Sequence, residues 1–436
     1  MNENKDNKQT LNEYVYVLSK TGRQLMPTAN RAKVRILLKK GQARVVKHTP
    51  FTIQLLYDTT EQIQPIVIGD DTGHSHNGIS VIANGKEIYA EEHQLKNDTS
   101  KNLTSRSEKR HSRRSRKTRY RKPRFLNRKN KKGRLMPSVQ GRVDEHVQVL
   151  KRIVKFLPIE NNDVTFCIEV GQFDVRKMKD PGVSGEDYQH GPIEDYYNAR
   201  EYVLARDKYT CQCCKGKSKD KKLETHHIVF RSQGGSDAPD NLVTLCHTCH
   251  SGFHDGLIKL PAKIKPGMRF AAPTQMNVMR PRILAAVQAA FPRAQVIERF
   301  GYETKMVRFE HNVSKSHVND ALCCTGNPDV KRCGVVFFSA KKRRHNRQLH
   351  KCRFEKGRVN YRKPNQAARE VFGFRLWDVV AWNGVRCFVA GRRSDGRFRL
   401  VDFDGNTLAG QVPCKKLRLL ERSNGSIIER RIASID

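Results

Sequence analysis

Cys211-x-x-Cys214 and Cys246-x-x-Cys249 form two short thiol pairs. Two such knuckles supply the closed tetrahedral shell that zinc takes in structural sites. Cys213, inside the first pair, reads as a spare. Between the pairs stand His226 and His227, side by side, then Asn241, and His250 follows Cys249 directly. Elsewhere, isolated acids sit on otherwise apolar segments. IVIGDDTGHSHNGISVI carries Asp70 and Asp71, VTFCIEV carries Glu169, and SKSHVNDAL carries His317 and Asp320. The last two are three apart and share a helical face. Carboxylates are hard oxygen ligands suited to a pair of divalent cations. His317 reads as a further ligand or as a base.

These residues need elements to hold them. Residues 13–60 alternate short apolar runs with basic turns, as in a small α+β module. Strands are predicted at 66–71 and 79–83, and Asn84-Gly85 signals a hairpin into KEIYAEE. Val143, Val147, Leu150, Val154 and Leu157 recur at spacings of four and three, predicting a helix that Pro158 ends. A strand is expected at 164–170. Residues 195–255 are rich in Cys and His and read as a self-contained insertion. A helix at 283–291, a hairpin at 295–310 and a helix near 315–323 follow. Over 373–421, short strands punctuated by Asn383-Gly384, Asp395-Gly396 and Asp404-Gly405 predict a small β-barrel.

The formal net charge is +39, from 83 Lys and Arg against 44 Asp and Glu. Such a charge repels itself unless a polyanion neutralises it, and nucleic acid releases counterions as it does so. The charge is also clustered: 16 of the 29 residues over 106–134 are Lys or Arg, against the single acid Glu108. The N-terminus is polar and acid-bearing, unlike a signal peptide. No apolar run nears the roughly 18 residues that span a bilayer. With paired CxxC thiols read as metal ligands, a reducing cytoplasm is expected.

The segment LETHHIVFRSQGGSDAPDNLVTLCHTCH resembles an HNH endonuclease of the ββα-metal kind. That resemblance implies His227 as the general base, His226 and His250 as magnesium ligands, and Asn241 as the residue that pins the loop orienting His227. His247 and His254 are expected to be surface histidines. The acid-x-Gly ending of the strand at 66–71 resembles the first motif of RuvC, an RNase H-like nuclease. Asp71, two residues before Gly73, is the expected ligand and Asp70 its rival. Asp71, Glu169, His317 and Asp320 would then form a split magnesium centre. The order of these motifs, with a basic block before Glu169 and the HNH insert after it, resembles the transposon-encoded IscB nucleases and the larger type II CRISPR effectors. GRQLMPT (22–28) is similar to that family's Pro-Leu-Met-Pro motif, with Gln24 at the first Pro. RRSRKTRYRKPRFLNR (113–128) is similar to its arginine-rich bridge helix.

The expected fold is multidomain α/β and α+β: an RNase H-like core split in sequence, an inserted zinc-containing HNH domain, a bridge helix and a C-terminal small β-barrel. The expected boundaries are 13–60 for the N-terminal domain, then 61–100, 138–185 and 259–340 for the RuvC-like segments. The bridge takes 101–137, the HNH domain 186–258, and the basic linker with the barrel 341–436. The resemblance implies RNA-guided cleavage of double-stranded DNA. The HNH centre would cut the guide-paired strand and the RuvC-like centre the displaced one, beside a short adjacent motif. The partners would be a structured guide RNA and target DNA, around a monomeric protein in a prokaryotic cytoplasm. The alternatives are a protein-only HNH homing or structure-specific endonuclease and a non-catalytic nucleic-acid-binding transposon factor.

Arg and Lys on all faces of a helix cannot pack in a core, but they can touch phosphates on two sides. Arg110, Arg113, Arg114, Arg116, Arg119, Arg121 and Arg124 are the expected contacts. Replacing Arg113, Arg116, Arg119 and Arg124 with Gln is expected to weaken RNA binding. It should also flatten the log-log salt dependence by roughly 0.7 to 0.9 per lost contact. Binding measured at several salt concentrations tests this, and an unchanged slope would make the block a solvated linker.

Overall fold

The computed structural model of the chain describes residues 13–60, 62–114, 135–159, 163–188, 190–191, 193–233, 235–267, 270–342, 353–355, 358–360 and 368–433. Contacts divide the chain into two compact units: 1–99, 107–171 and 275–436 in one, 100–106 and 172–274 in the other.

In the first unit, β1 (Val15–Leu18), β2 (Gln24–Thr28), α1 (Arg31–Lys39), β3 (Ala43–Lys47) and β4 (Thr52–Leu55) form a four-stranded sheet of order β2-β1-β4-β3 with one helix. Next come β5 (Ile66–Asp71), β6 (His76–Ala83) and β7 (Lys86–Gln94), an antiparallel meander. The β6–β7 turn is Asn84-Gly85, both at positive φ, as expected of that hairpin pair. A helix, α2 (Thr99–Arg114), carries the start of the basic block. Arg116, Arg119, Arg121 and Arg124 lie outside the described residues, as do the side chains of Arg110, Arg113 and Arg114.

Helix α3 (Pro137–Ile153) and strand β8 (Val164–Glu169) follow. The second unit contains α4 (Val175–Lys179), α5 (Ala199–Arg206), β9 (Leu223–His227), β10 (Leu242–Cys246) and α6 (His247–His254). The chain then returns through α7 (Ala271–Ala290), β11 (Gln295–Arg299), α8 (Gly301–Glu310), α9 (His317–Cys324) and β12 (Val335–Lys341). A short pair, β13 (Arg353–Glu355) and β14 (Arg358–Asn360), precedes the C-terminal strands. These are β15 (Val379–Trp382), β16 (Val385–Arg392), β17 (Arg397–Val401), β18 (Thr407–Pro413), β19 (Arg418–Glu421) and β20 (Ser426–Ile432).

The central sheet has seven strands in the order β11-β8-β5-β6-β7-β12-β20. Strands β11 and β8 run parallel to β5, and β12 runs parallel to β7. The last strand, β20, pairs antiparallel with β12 and so forms the far edge of this sheet. The other C-terminal strands make a five-stranded antiparallel sheet, β18-β17-β16-β15-β19, whose turns contain Gly384, Gly396 and Gly405 at positive φ.

Alternation sorts the central sheet into two faces. Ile66 and Ile68 of β5, with Val164, Phe166 and Ile168 of β8, join one core that includes Val143, Val149, Leu150 and Ile153 of α3. The inner face of α3 is not wholly apolar, as the periodicity suggested. Glu145 and His146 are buried there, while Val147 is only partly covered. They meet polar groups of the sheet. His146 Nε2 lies 2.6 Å from Asp70 Oδ2, and Glu145 Oε1 lies 3.2 Å from His93 Nε2. The helix also ends at Ile153, before Pro158.

The opposite face receives α9, and two glycines allow it. A Cβ on Gly69 would stand 1.8 Å from the Ala321 carbonyl oxygen, and one on Gly78 would stand 1.8 Å from that of His317. The hairpin expected at 295–310 is instead strand β11 followed by helix α8. Strand β11 finds its partner in β8, so no return strand is needed. Glu303 caps the new helix by accepting from the Phe300 N–H at 2.8 Å. The helix expected at 283–291 starts earlier, at Ala271, and contains Pro281.

Gly78→Ala is expected to push α9 off the sheet and destabilise the protein by about 1–3 kcal/mol, as overpacking does. Gly141→Ala is the control: it lies in helix α3 with nothing within 4 Å of a built Cβ. It should stabilise by roughly 0.5–1 kcal/mol. Denaturant unfolding of both variants checks the pair.

Candidate metal centres

In the second unit, β9 and β10 pair antiparallel and α6 follows at once, a ββ-hairpin with a helix packed on it. Cys211, Cys214, Cys246 and Cys249 bring their sulfurs within 4.8 Å of one another. Cys214 Sγ and Cys246 Sγ are 3.8 Å apart. Two sulfurs each about 2.3 Å from one tetrahedral zinc stand roughly 3.8 Å apart, so the set fits that ion. Ser218 lies 3.4 Å from Cys214 Sγ and 3.1 Å from Cys246 Sγ. Its hydrogen bond is the main cause that lowers the Cys214 thiol to about 6, which favours the thiolate a metal needs. Burial raises Cys211 and Cys249, a cost that a bound cation offsets.

Alternation along β9 turns His226 inward and leaves His227 half-exposed. His226, His250 and His254 bring one ring nitrogen each within 4.8 Å of one another. His254 is exposed, as expected. It stands four residues after His250 on α6, so one helical turn brings both rings to the same place. Their Nε2 atoms are 3.2 Å apart. Two nitrogens bound to one tetrahedral ion at about 2.0–2.1 Å stand roughly 3.3 Å apart, so this pair fits a shared ion as well. His226 Nε2 is buried and finds no hydrogen-bond partner among the described residues. Burial first, then the charges of His250, His254 and His227, hold His226 at about 4. It is therefore neutral at pH 7, the form that ligates. Glu224 Oε2 lies 2.6 Å from His250 Nδ1 and fixes that ring with Nε2 toward the cluster. Three imidazoles suit a borderline divalent ion better than magnesium, which favours oxygen.

His227 is placed apart from this set. Its Nε2 is 2.8 Å from Asp237 Oδ1, which also accepts from Arg231 Nε at 2.7 Å. Asn241 ties the intervening loop. It accepts from the Val229 N–H at 3.0 Å and donates to the Val229 and Ser236 carbonyls at 3.1 and 2.8 Å. Gly235 passes so close to the Val229 carbonyl that a Cβ would stand 1.7 Å from it.

The carboxylate set lies in the first unit, on the sheet face that receives α9. Asp71 follows Gly69 on that face, whereas Asp70 points to α3 and His146. Register pairs Asp70 with Ile168, so the next residues along, Asp71 and Glu169, stand side by side. His317 Nδ1 is 2.7 Å from Asp71 Oδ2, and that contact is the main cause raising the His317 ring. Glu169 is raised to about 7, first by burial and then by the charge of Asp71. Asp320 is raised by burial and then by Asp71. Crowded, mutually repelling carboxylates are what a cation relieves.

Two arginines that sequence reasoning missed hold two of the acids. Arg280 Nη2 lies 2.6 Å from Glu169 Oε1, and its Nη1 donates to the Gly171 carbonyl at 2.9 Å. Its Nε donates to the Thr72 hydroxyl at 3.1 Å. Arg308 Nε lies 3.2 Å from Asp320 Oδ1. The signal for Arg280 was its place among Met276, Met279, Ile283 and Val287, an apolar helix face where a buried cation needs a partner. No three of Asp71, Glu169, His317 and Asp320 converge within 4.8 Å as the cysteine and histidine sets do.

Cys214→Ser in the full chain is expected to lower bound zinc and make 172–274 sensitive to protease, while the central sheet keeps its protection. Metal analysis with limited proteolysis reads both. An intact protein without zinc would sink the four-sulfur assignment.

Comparison with known proteins adds names to this geometry. Residues 15–191 match the model of the RRXRR protein family, and residues 211–256 match that of the HNH endonucleases. A probable HNH endonuclease of Lactococcus phage SK1 is 39% identical over 64 residues, covering 13% of this chain and 67% of that protein. Anaredoxin of a Nostoc species is 33% identical over 72 residues, covering 16% of this chain and 91% of that protein. A crystal structure of Streptococcus thermophilus Cas9 in complex with AGGA PAM aligns at TM-score 0.30 and 12% identity, over 61% of this chain and 32% of that one. At that score the likeness does not bear on the fold. Among the described residues no helix is long and apolar enough to cross a membrane. The two family matches fit an IscB-like nuclease, and through residues 211–256 the chain belongs to the HNH endonucleases, enzymes that cleave DNA.

Proposed function

We propose that this chain is an RNA-guided endonuclease of double-stranded DNA with two cutting centres. The observation that carries the reading is the presence, in one strongly basic chain, of two separate sets of metal-type ligands. One is a histidine cluster on a ββα hairpin, and the other is the group Asp71, Glu169, His317 and Asp320 on the central sheet. The order β7-β6-β5-β8-β11, a meander followed by two parallel strands, supports an RNase H-like core for the second set. The arginine-rich block, the Pro-Leu-Met-Pro-like strand β2 and the C-terminal strands support the IscB reading of guide, bridge and adjacent-motif domains.

At the histidine centre, His226, His250 and His254 would hold a divalent ion. Bound there, the ion supplies charge to stabilise the phosphorane and the leaving oxygen. His227 takes the proton from the attacking water. Its Nε2 is engaged by Asp237, so Nδ1 is the nitrogen left for that transfer. Asn241 keeps the loop, and with it His227, in place. At the carboxylate centre, Asp71, Glu169 and Asp320 offer the oxygens that magnesium prefers. His317 stands over Asp71 as ligand or base. Arg280 and Arg308 orient two of the acids. The histidine centre would cut the guide-paired strand and the carboxylate centre the displaced one. A structured RNA would supply the sequence information, and the protein would read duplex shape and a short adjacent motif.

Strand-specific nicking tests the assignment. With co-purified RNA sequenced and matched to a labelled duplex, Asp71→Asn should leave a nickase for the guide-paired strand. His227→Ala should leave a nickase for the other strand, its own cut slowed about 100-fold or more. Asp70→Asn should cost stability, through His146, rather than strand choice. Full cutting without bound RNA would point instead to a protein-only nuclease.

A further inference from the structure

A surface helix normally buries its apolar stripe and turns its polar residues to water. Helix α8 does the reverse. Tyr302, Met306 and Phe309 recur at i, i+4 and i+7 on one face, and they are 64%, 66% and 64% exposed. Lys305 shares that face. Beside the partly buried Val307, the inward side is polar: Thr304 is buried with its hydroxyl 3.4 Å from Cys324 Sγ, and Arg308 reaches Asp320. Phe300, just before the helix, is exposed and stacks on Tyr302 with ring centroids 6.0 Å apart and planes 15° apart. Two cations already sit beside one of the rings, that of Phe309. Lys305 Nζ is 5.5 Å and the Arg308 guanidinium carbon 4.9 Å from the Phe309 centroid.

We propose that this outward face of α8 is a base-stacking platform for single-stranded DNA entering the carboxylate centre. The proposal rests on the reading of that centre as a DNA-cutting one. Aromatic faces beside cations match both parts of an unpaired strand, its bases and its phosphates. The core of a protein-docking patch is instead depleted of charge. A duplex keeps its bases stacked on one another, so only a separated strand offers faces to these rings. The helix also adjoins the acids. A Cβ on Gly301, the first residue of α8, would lie 3.2 Å from Glu169 Oε1, and Arg308 of the same helix holds Asp320. Bases stacked on the outward face would therefore lie about one helix diameter, roughly 10 Å, from the acids.

The test uses the full chain and a single-stranded oligodeoxynucleotide carrying 5-iodouracil, irradiated and mapped by peptide mass. The wild type should crosslink within 300–310, and so should Tyr302→Phe with Phe309→Tyr, which keeps the rings. Tyr302→Leu with Phe309→Leu keeps the apolar area but removes the stacking. It should lose the crosslink and slow carboxylate-centre cutting by at least about fivefold, with histidine-centre cutting unchanged. No crosslink at 300–310 in the wild type overturns the platform. So does a Leu pair that keeps crosslink and rate, or one that changes only self-association. Asp71→Asn separates the two claims: it should abolish that cut yet keep the crosslink. If it cuts at the wild-type rate, the catalytic reading fails while the crosslink still decides the platform.

Discussion

The carboxylate centre depends on one close approach, that of the α9 backbone to strands β5 and β6. Gly69 and Gly78 lack the Cβ that would collide with the carbonyls of Ala321 and His317. Because they do, His317 and Asp320 on the first turn of α9 reach the sheet end where Asp71 and Glu169 emerge. The acids come from segments far apart in sequence. What unites them is a sheet register on one side and a helix seated on two glycines on the other. Among the described residues, those between Glu169 and α7 contribute no strand to this sheet, so a second unit can be inserted there without breaking the register.

The two faces of the sheet handle charge in opposite ways. Toward α3, buried polar groups are paired with one another. Glu91 meets Arg152, Tyr89 and Ser339, while Asp70 meets His146. These pairs fix the helix on the sheet, although Asp70 Oδ1 and Arg152 Nε find no hydrogen-bond partner among the described residues. Toward α9, Asp71, Glu169 and Asp320 repel one another, and burial with mutual repulsion raises the latter two. Arg280 and Arg308 temper that repulsion without removing it. A protein of net charge +39 thus keeps a small acidic spot on its central sheet.

Short-range patterns were legible in the sequence; long-range choices were not. The four cysteines, the β5–β6–β7 meander with its Asn84-Gly85 turn, and the strand at Glu169 follow from spacing and alternation, which are local. Alternation also separates Asp70 from Asp71, but which face meets α9 depends on helix packing that no window of residues contains. His254 escaped because an exposed-looking histidine near a helix end usually has no partner. Its one clue was the i, i+4 spacing to His250. The hairpin read into 295–310 failed for a tertiary reason, since β11 takes β8 as its neighbour and frees the next residues to coil into α8. The buried Glu145 and His146 escaped because an apolar period was read as the whole inner face of α3.

The two ligand sets differ in kind, and the difference follows from how each is built. On the ββα hairpin the histidines come from one strand and one helix turn, spaced closely enough that their nitrogens converge, with the His250 ring steered by Glu224. A short hairpin with little core needs the four-sulfur set nearby to hold its shape. On the central sheet the scaffold is a large core, so no structural ion is needed. The ligands there can be carboxylates that stay apart until a cation draws them together. Rigid nitrogen donors favour a fixed ion, whereas separated oxygens favour ions that arrive with their own water and with phosphate oxygens as further ligands. The same chain therefore holds nitrogen donors brought together by a short hairpin and carboxylates set apart on a large sheet.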